Sequence, residues 1–169
     1  MEMTKRKLLI GARFLSFIVD EESYCIEILK IKELMGMIPI TPLPRTPEFI
    51  RGVINLRGLI IPIIDLRLKF GLPFKEYTKR TSIMVVEVSY EGTQMFMGLV
   101  VDSLQEVISI PEDKISKIPY INSKIKAEYI KSIADTPDGM KIVLDVLKVL
   151  NDDELEAIGQ VAKQEKISV

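Results

Sequence analysis

Histidine and tryptophan are absent from this 169-residue chain, and cysteine occurs once. Without histidine the chain lacks the commonest general base and the commonest metal ligand, and every histidine-dependent triad is excluded with them. The lone thiol, Cys25, cannot form a disulfide within the chain. It lies in an apolar stretch without a cationic neighbour in sequence, so it reads as core packing rather than as a nucleophile. Charge of one sign is also missing: 23 Lys and Arg stand against 24 Asp and Glu, which leaves no field to draw the chain to nucleic acid or an anionic membrane. No segment approaches the ~20 apolar residues of a membrane span. The opening KRKLLIGARF resembles a secretory signal only until Arg13 interrupts it. With no leader and a single cysteine, a reducing cytoplasm is the expected compartment. Neither G-x-G-x-x-G nor the Walker pattern occurs, so no phosphate loop is available. No cofactor or metal is expected.

What the chain has is apolar residues, 47% of the total, arranged mostly in short β-forming runs. FLSFIVDEESYCIEILKI gives two strands around a polar turn at Asp20 to Ser23. MGMIPITPLPRTPEF carries four of the nine prolines and reads as an edge strand leaving into a loop, since each proline removes a ladder donor. GVINLRGLIIPIIDLR is a hairpin turning at Arg57 and Gly58. Asp65 then caps a short helix that stops at Gly71. After a linker at GLPFKEYTKR, strands resume at SIMVVEVSY, QMFMGLVVDSL and EVISI, and the P-D-G corner at Pro137 to Gly139 turns another hairpin. NDDELEAIGQVAKQ has the Asn151 to Glu154 capping signature and an apolar stripe at Leu155, Ile158 and Val161 or Ala162, as an amphipathic helix requires. Met84, Met95, Met97 and Met140 read as core filler.

The chain repeats itself. EFIRGVINLRGLIIPIIDLRLKF aligns without a gap on EYIKSIADTPDGMKIVLDVLKVL, with Ile63 on Val143, Ile64 on Leu144 and Asp65 on Asp145. Each half also opens with a strand hairpin. The expected fold is therefore two tandem β units of roughly five strands, residues 12–75 and 80–150, followed by a C-terminal helix and tail at 151–169. Units so small gain stability by packing apolar faces together. The repeat also bears on Arg57: the second copy turns the same corner with Pro137 and Asp138, so topology does not demand an arginine there.

Taken in order, YCIEILKIKELMG, ITPLPRTPEFIRGVINLRGLIIPIIDLRLKFG, MGLVVDSLQEVISI and MKIVLDVLKVL resemble the CheW family of chemotaxis coupling proteins, from about Phe14 to Leu150. The resemblance implies an all-β fold of two SH3-like five-stranded barrels with an apolar core between them, the whole chain forming one CheW-like domain. It implies a non-catalytic adaptor joining the cytoplasmic tips of chemoreceptors to the regulatory domain of the histidine kinase CheA, in arrays at the inner membrane where self-association also occurs. Receptor-contact positions of the family fall on Ile31, Glu33, Gly52, Arg57, Ser82 and Ile83. Kinase contacts fall on Ser116, where this chain lacks the family's basic residue, and on Tyr120 or Ile121. Two other readings stand beside it: a β-barrel binder of single-stranded nucleic acid, and an enzyme using Asp65 with Arg57 or Arg67.

Overall fold

The computed structural model describes residues 12–117 and 125–167, with side chains to residue 160. Eleven strands form two sheets. The first hairpin is β1 (Ala12–Val19) with β2 (Glu22–Glu27), followed by a 3-10 turn at Ile28–Lys30 and β3 (Ile31–Gly36). The proline-rich segment leads to the hairpin of β4 (Ile50–Leu56) and β5 (Leu59–Asp65) and the short helix α1 (Leu66–Lys69). The second half supplies β6 (Ser82–Tyr90), β7 (Thr93–Val101), β8 (Ser103–Ile110), the two-residue β9 (Ile115–Ser116), β10 (Ile130–Thr136) and β11 (Gly139–Leu144). Helices α2 (Val146–Val149) and α3 (Asp152–Ile167) end the chain.

The repeat is real in the folded chain. Both copies run strand, two-residue turn, strand and short helix, and both ladders slip at equivalent positions, between Ile50 and Gly52 and between Ile130 and Ser132. The amide of Asp65 donates to Phe49 O at 2.8 Å, and that of Asp145 to Tyr129 O at 2.9 Å. One detail differs from the repeat expectation. The Asp65 carboxylate accepts from the amides of Arg67 and Leu68 as an N-cap, whereas Asp145 makes no side-chain cap.

The tandem division does not describe how the strands pair. One sheet runs β3-β6-β7-β5-β4 and the other β8-β1-β2-β11-β10-β9, so the opening hairpin of each half completes the sheet of the other. The linker near residues 72–80 is therefore not a boundary between sheets. The exchanged hairpins join through parallel pairs, β5 to β7 and β2 to β11, in positions related by the repeat. Sequence periodicity identifies strands and their faces but carries no record of which non-local partner each takes.

The apolar residues fill three layers. Inside the first barrel are Ile54, Ile61, Ile63, Ile83, Val85 and Val100; inside the second are Phe14, Cys25, Ile110, Ala134 and Val143. The largest cluster lies between them, joining Phe17, Tyr24 and Ile26 to Met84, Met97, Leu99 and Leu144, and it takes in Leu155 and Ile158 of α3. Asn151 and Glu154 cap α3 reciprocally, each side chain accepting from the other's amide at 2.8 Å. The side chains of Val161 and Ala162 fall outside the described residues. Met140 departs from its core reading: it is 63% exposed.

Arg67 ties the exchange together. Its guanidinium, 11% exposed, donates to Asp102 at the β7–β8 corner at 2.8 Å and approaches Asp20 in the β1–β2 turn at 3.5 Å. Asp102 also accepts from the Asp20 amide at 2.7 Å. Removing a part-buried cation from two carboxylates leaves charge without a partner. Arg67→Ala is expected to lose about 2 kcal/mol in urea unfolding; a loss below about 0.5 kcal/mol, the level of an ordinary surface change, would show that the strands alone hold this corner.

Candidate functional site

The β4–β5 turn places Arg57 at φ 52° and Gly58 at φ 88°, the doubly left-handed geometry that matches the twist of paired strands. The Asn55 carboxamide oxygen accepts from the Gly58 amide at 2.9 Å and fixes the turn. Proline cannot adopt positive φ, so the second copy must turn at Pro137 by a different geometry. The first copy thus holds a strained, non-glycine residue at its corner and aims that side chain outward.

Arg57 meets Glu33. Its two terminal nitrogens face the two carboxylate oxygens of Glu33 at 2.5 and 3.4 Å, a forked pair across β3 and the β4–β5 turn. The carboxylate raises the guanidinium's pKa further above its ordinary value. β3 and β4 are the two outer strands of their sheet, so the pair bridges the rim where the barrel closes. The Arg57 side chain is 74% exposed. An ion pair this open adds little stability, and its effect is to orient a donor fork at the surface.

Barrel closure below the rim depends on Gly52. Thr41 and Val53 exchange backbone hydrogen bonds at 2.9 Å, drawing the proline-rich segment onto β4. A Cβ on Gly52 would lie 2.0 Å from Thr41 O, and the residue sits at φ 139°. Only glycine allows this approach.

The six positions expected from the family resemblance to contact a receptor therefore separate into three kinds. Glu33 and Arg57 come together at the rim, with Ser82 nearby in the register: it opens β6 opposite Gly36, and its hydroxyl donates to Arg80 O at 2.9 Å. Ile31, on the same strand as Glu33, is half-buried against the core between the barrels. Gly52 and Ile83 offer no surface: Gly52 is buried under Thr41, and Ile83 is fully buried in the first barrel opposite Met35. Their influence on a partner would act through the shape of the rim. Three apolar side chains of the first half were not singled out by sequence: Leu34 on β3, Ile38 just after it and Leu59 at the start of β5 are 41%, 38% and 40% exposed. Leu34 on an edge strand and Leu59 beside the turn carried the available signal, apolar residues where alternation calls for polar ones. Leu59 also opens a cleft of 480 Å³ between the β6–β7 hairpin and α3, lined by Met95, Phe96, Leu155 and Ile158.

Among the positions expected to contact a kinase, Ser116 is exposed on β9, at the outer edge of the other sheet. Tyr120 and Ile121 lie outside the described residues. The residues offered for catalysis are occupied structurally. Asp65 is 1% exposed and accepts from Tyr77 Oη at 2.9 Å as well as from α1; burial raises its pKa against those hydrogen bonds. Arg67 turns away from it toward Asp102. Burial pushes the Cys25 thiol up to about 12, so it is protonated at neutral pH.

Residues 13–154 match a family model described as the CheW-like domain. The chain is 36% identical over 154 residues to the chemotaxis protein CheW of Klebsiella aerogenes, covering 91% of this chain and 90% of that protein. It is 35% identical over 141 residues to the chemotaxis protein CheW of Helicobacter pylori, covering 83% and 82%. The crystal structure of the scaffolding protein TtCheW from Thermoanaerobacter tengcongensis superposes with a TM-score of 0.72 at 37% identity, over 80% of this chain and 89% of that one.

Gly52→Ala is expected to lose about 3 kcal/mol in urea unfolding, because both its φ and the Thr41 approach forbid a side chain. A loss below about 1 kcal/mol would show that the closure relaxes easily.

Proposed function

The chain belongs to the CheW family of chemotaxis coupling proteins, and from that membership we propose that it joins the cytoplasmic helical hairpin of chemoreceptors to the regulatory domain of the histidine kinase CheA, without catalysing a reaction. The observation that carries the receptor assignment is the forked Arg57–Glu33 pair on the rim of the first barrel, with exposed apolar side chains at Leu34, next to Glu33 in sequence, and Leu59, two residues after Arg57. A helix presents both apolar and polar side chains on one face. A rim combining apolar area with an oriented guanidinium suits such a partner.

The kinase-facing surface of this reading lies on the other barrel, around Ser116; its remaining expected contacts, Tyr120 and Ile121, are outside the described residues. The two faces thus belong to different sheets that share one packed core. Close-packed interiors transmit displacement rather than absorbing it, so a shift imposed at the receptor rim reaches the kinase-facing barrel as movement of the whole body. No bond need be made or broken for the signal to pass. Array association at the inner membrane, with contacts between copies, follows from the same reading; among the described residues no helix is long and apolar enough to cross a membrane.

Arginine at a packed interface centre is commonly a hot spot. In surface plasmon resonance with a receptor cytoplasmic hairpin, Arg57→Ala is expected to weaken binding about tenfold or more, while affinity for the CheA regulatory domain changes less than about twofold. Unchanged receptor affinity would remove Arg57 from the interface, and equal loss for both partners would make its role structural.

A further inference from the structure

The repeat gives each interior position of one barrel a counterpart in the other, and one pair breaks the match. In the first barrel Ile61 of β5 faces Ile54 of β4, and both are buried. In the second, the corresponding pair is Lys141 of β11 facing Ala134 of β10, and Lys141 is 4% exposed. The small alanine leaves room for the lysine stem. An ammonium has replaced a core isoleucine.

Its partners are neutral. Lys141 Nζ donates to Ser23 Oγ at 2.8 Å and to Gln105 Oε1 at 3.4 Å. The Ser23 hydroxyl donates to the same Gln105 oxygen at 2.6 Å, and the Ser16 hydroxyl, fully buried, donates to it as well. No carboxylate oxygen among the described residues lies within 4.0 Å of this ammonium. Three donors, one of them a cation, thus converge on a single uncharged amide oxygen. Buried charge is ordinarily paired, and this arrangement of donors is one that a carboxylate satisfies better than an amide. Gln105 is an exposed residue on β8, so a competing acceptor has only to take over the three hydrogen bonds its Oε1 now receives.

Lys141 also lines a 600 Å³ cleft at the end of the second barrel, between β8 and the β10–β11 turn. The equivalent end of the first barrel is where Glu33 and Arg57 bridge β3 to the β4–β5 turn. The second barrel has Glu106, Asp135, Asp138 and Lys114, all exposed, around its cleft. A cationic floor inside a mainly acidic rim repels free polyanions such as nucleic acid. It attracts a side chain that brings one negative charge between positive neighbours.

We propose that this open end of the second barrel is a docking site for a segment of a partner protein carrying one acidic residue flanked by basic ones, its carboxylate displacing Gln105 Oε1 in front of Lys141, Ser16 and Ser23. The site is separate from the Arg57 rim and does not depend on the receptor assignment.

The test uses the full ¹⁵N-labelled chain and a capped pentapeptide, lysine–alanine–glutamate–alanine–lysine, with its glutamine counterpart and inorganic sulfate as the other arms. The glutamate peptide is expected to shift the amides of Ser16, Gln105 and Lys141 saturably, at least tenfold more tightly than the glutamine peptide or sulfate. Lys141→Met should weaken that response at least tenfold. Gln105→Glu, which supplies an internal carboxylate and keeps the lysine, should do the same and decides the matter even if the methionine variant does not fold. Equal binding of the glutamine peptide, sulfate binding as tight as the glutamate peptide, full binding by Gln105→Glu, or no saturable response would each overturn the proposal.

Discussion

Neither half of this chain can close a barrel from its own strands in the folded protein. β6 and β7 stand between β3 and β5, and β1 and β2 stand between β8 and β11, so each sheet is complete only when the other half contributes its opening hairpin. The parallel joints are short, from Ile63 to Asp65 against Gly98 to Val100, and from Tyr24 and Cys25 against Ile142 and Val143. Their stability rests on the apolar layer between the sheets, where Phe17, Tyr24, Met84 and Leu99 pack together, and on the Arg67 contacts to Asp20 and Asp102. Burial of this kind is non-directional and follows the apolar area removed from water, which is why a chain with so large an apolar fraction can hold two small barrels as one body.

The exchange also leaves the two ends of one duplicated unit free to differ. The two barrels share strand order and ladder irregularities, yet they differ at corresponding ends. In the first, a strained turn residue, Arg57, reaches across to Glu33 and closes the rim with charge. In the second, proline occupies the turn, Ala134 replaces a large residue, and buried Lys141 lines a cleft while its ammonium bonds Ser23 and Gln105. Duplication supplies the scaffold, and substitutions at a few unconstrained corners give each end its own side-chain chemistry. The barrels share one packed core, which joins Phe17, Tyr24 and Ile26 to Met84, Met97 and Leu99.

Much of this was legible in the sequence for physical reasons. Two-residue periodicity located the strands, the proline spacing located the segment after β3, and the capping pair Asn151 and Glu154 fixed the start of α3. The gapless repeat identified equivalent hairpins and singled out Arg57 as unneeded by the turn. What remained hidden was non-local. Nothing near Glu33 in the chain announces Arg57 as its partner, and nothing near Ile83 distinguishes a core strand position from a surface one. Gly52 looked like a contact, but its glycine answers to Thr41 passing overhead. The Lys141 cluster did leave a trace: a lysine aligned with Ile61 inside an otherwise apolar strand. Its meaning required the Ser16, Ser23 and Gln105 oxygens that only the fold brings together.

On the proposed reading, one rigid body presents different barrels to different partners. Hydrogen–deuterium exchange of the full chain, with a receptor hairpin alone and with the CheA regulatory domain alone, tests it most directly. The receptor hairpin should protect β3 and the β4–β5 turn around Arg57, and the kinase domain should protect the region of β9 around Ser116. Protection of the same strands by both partners would contradict the claim.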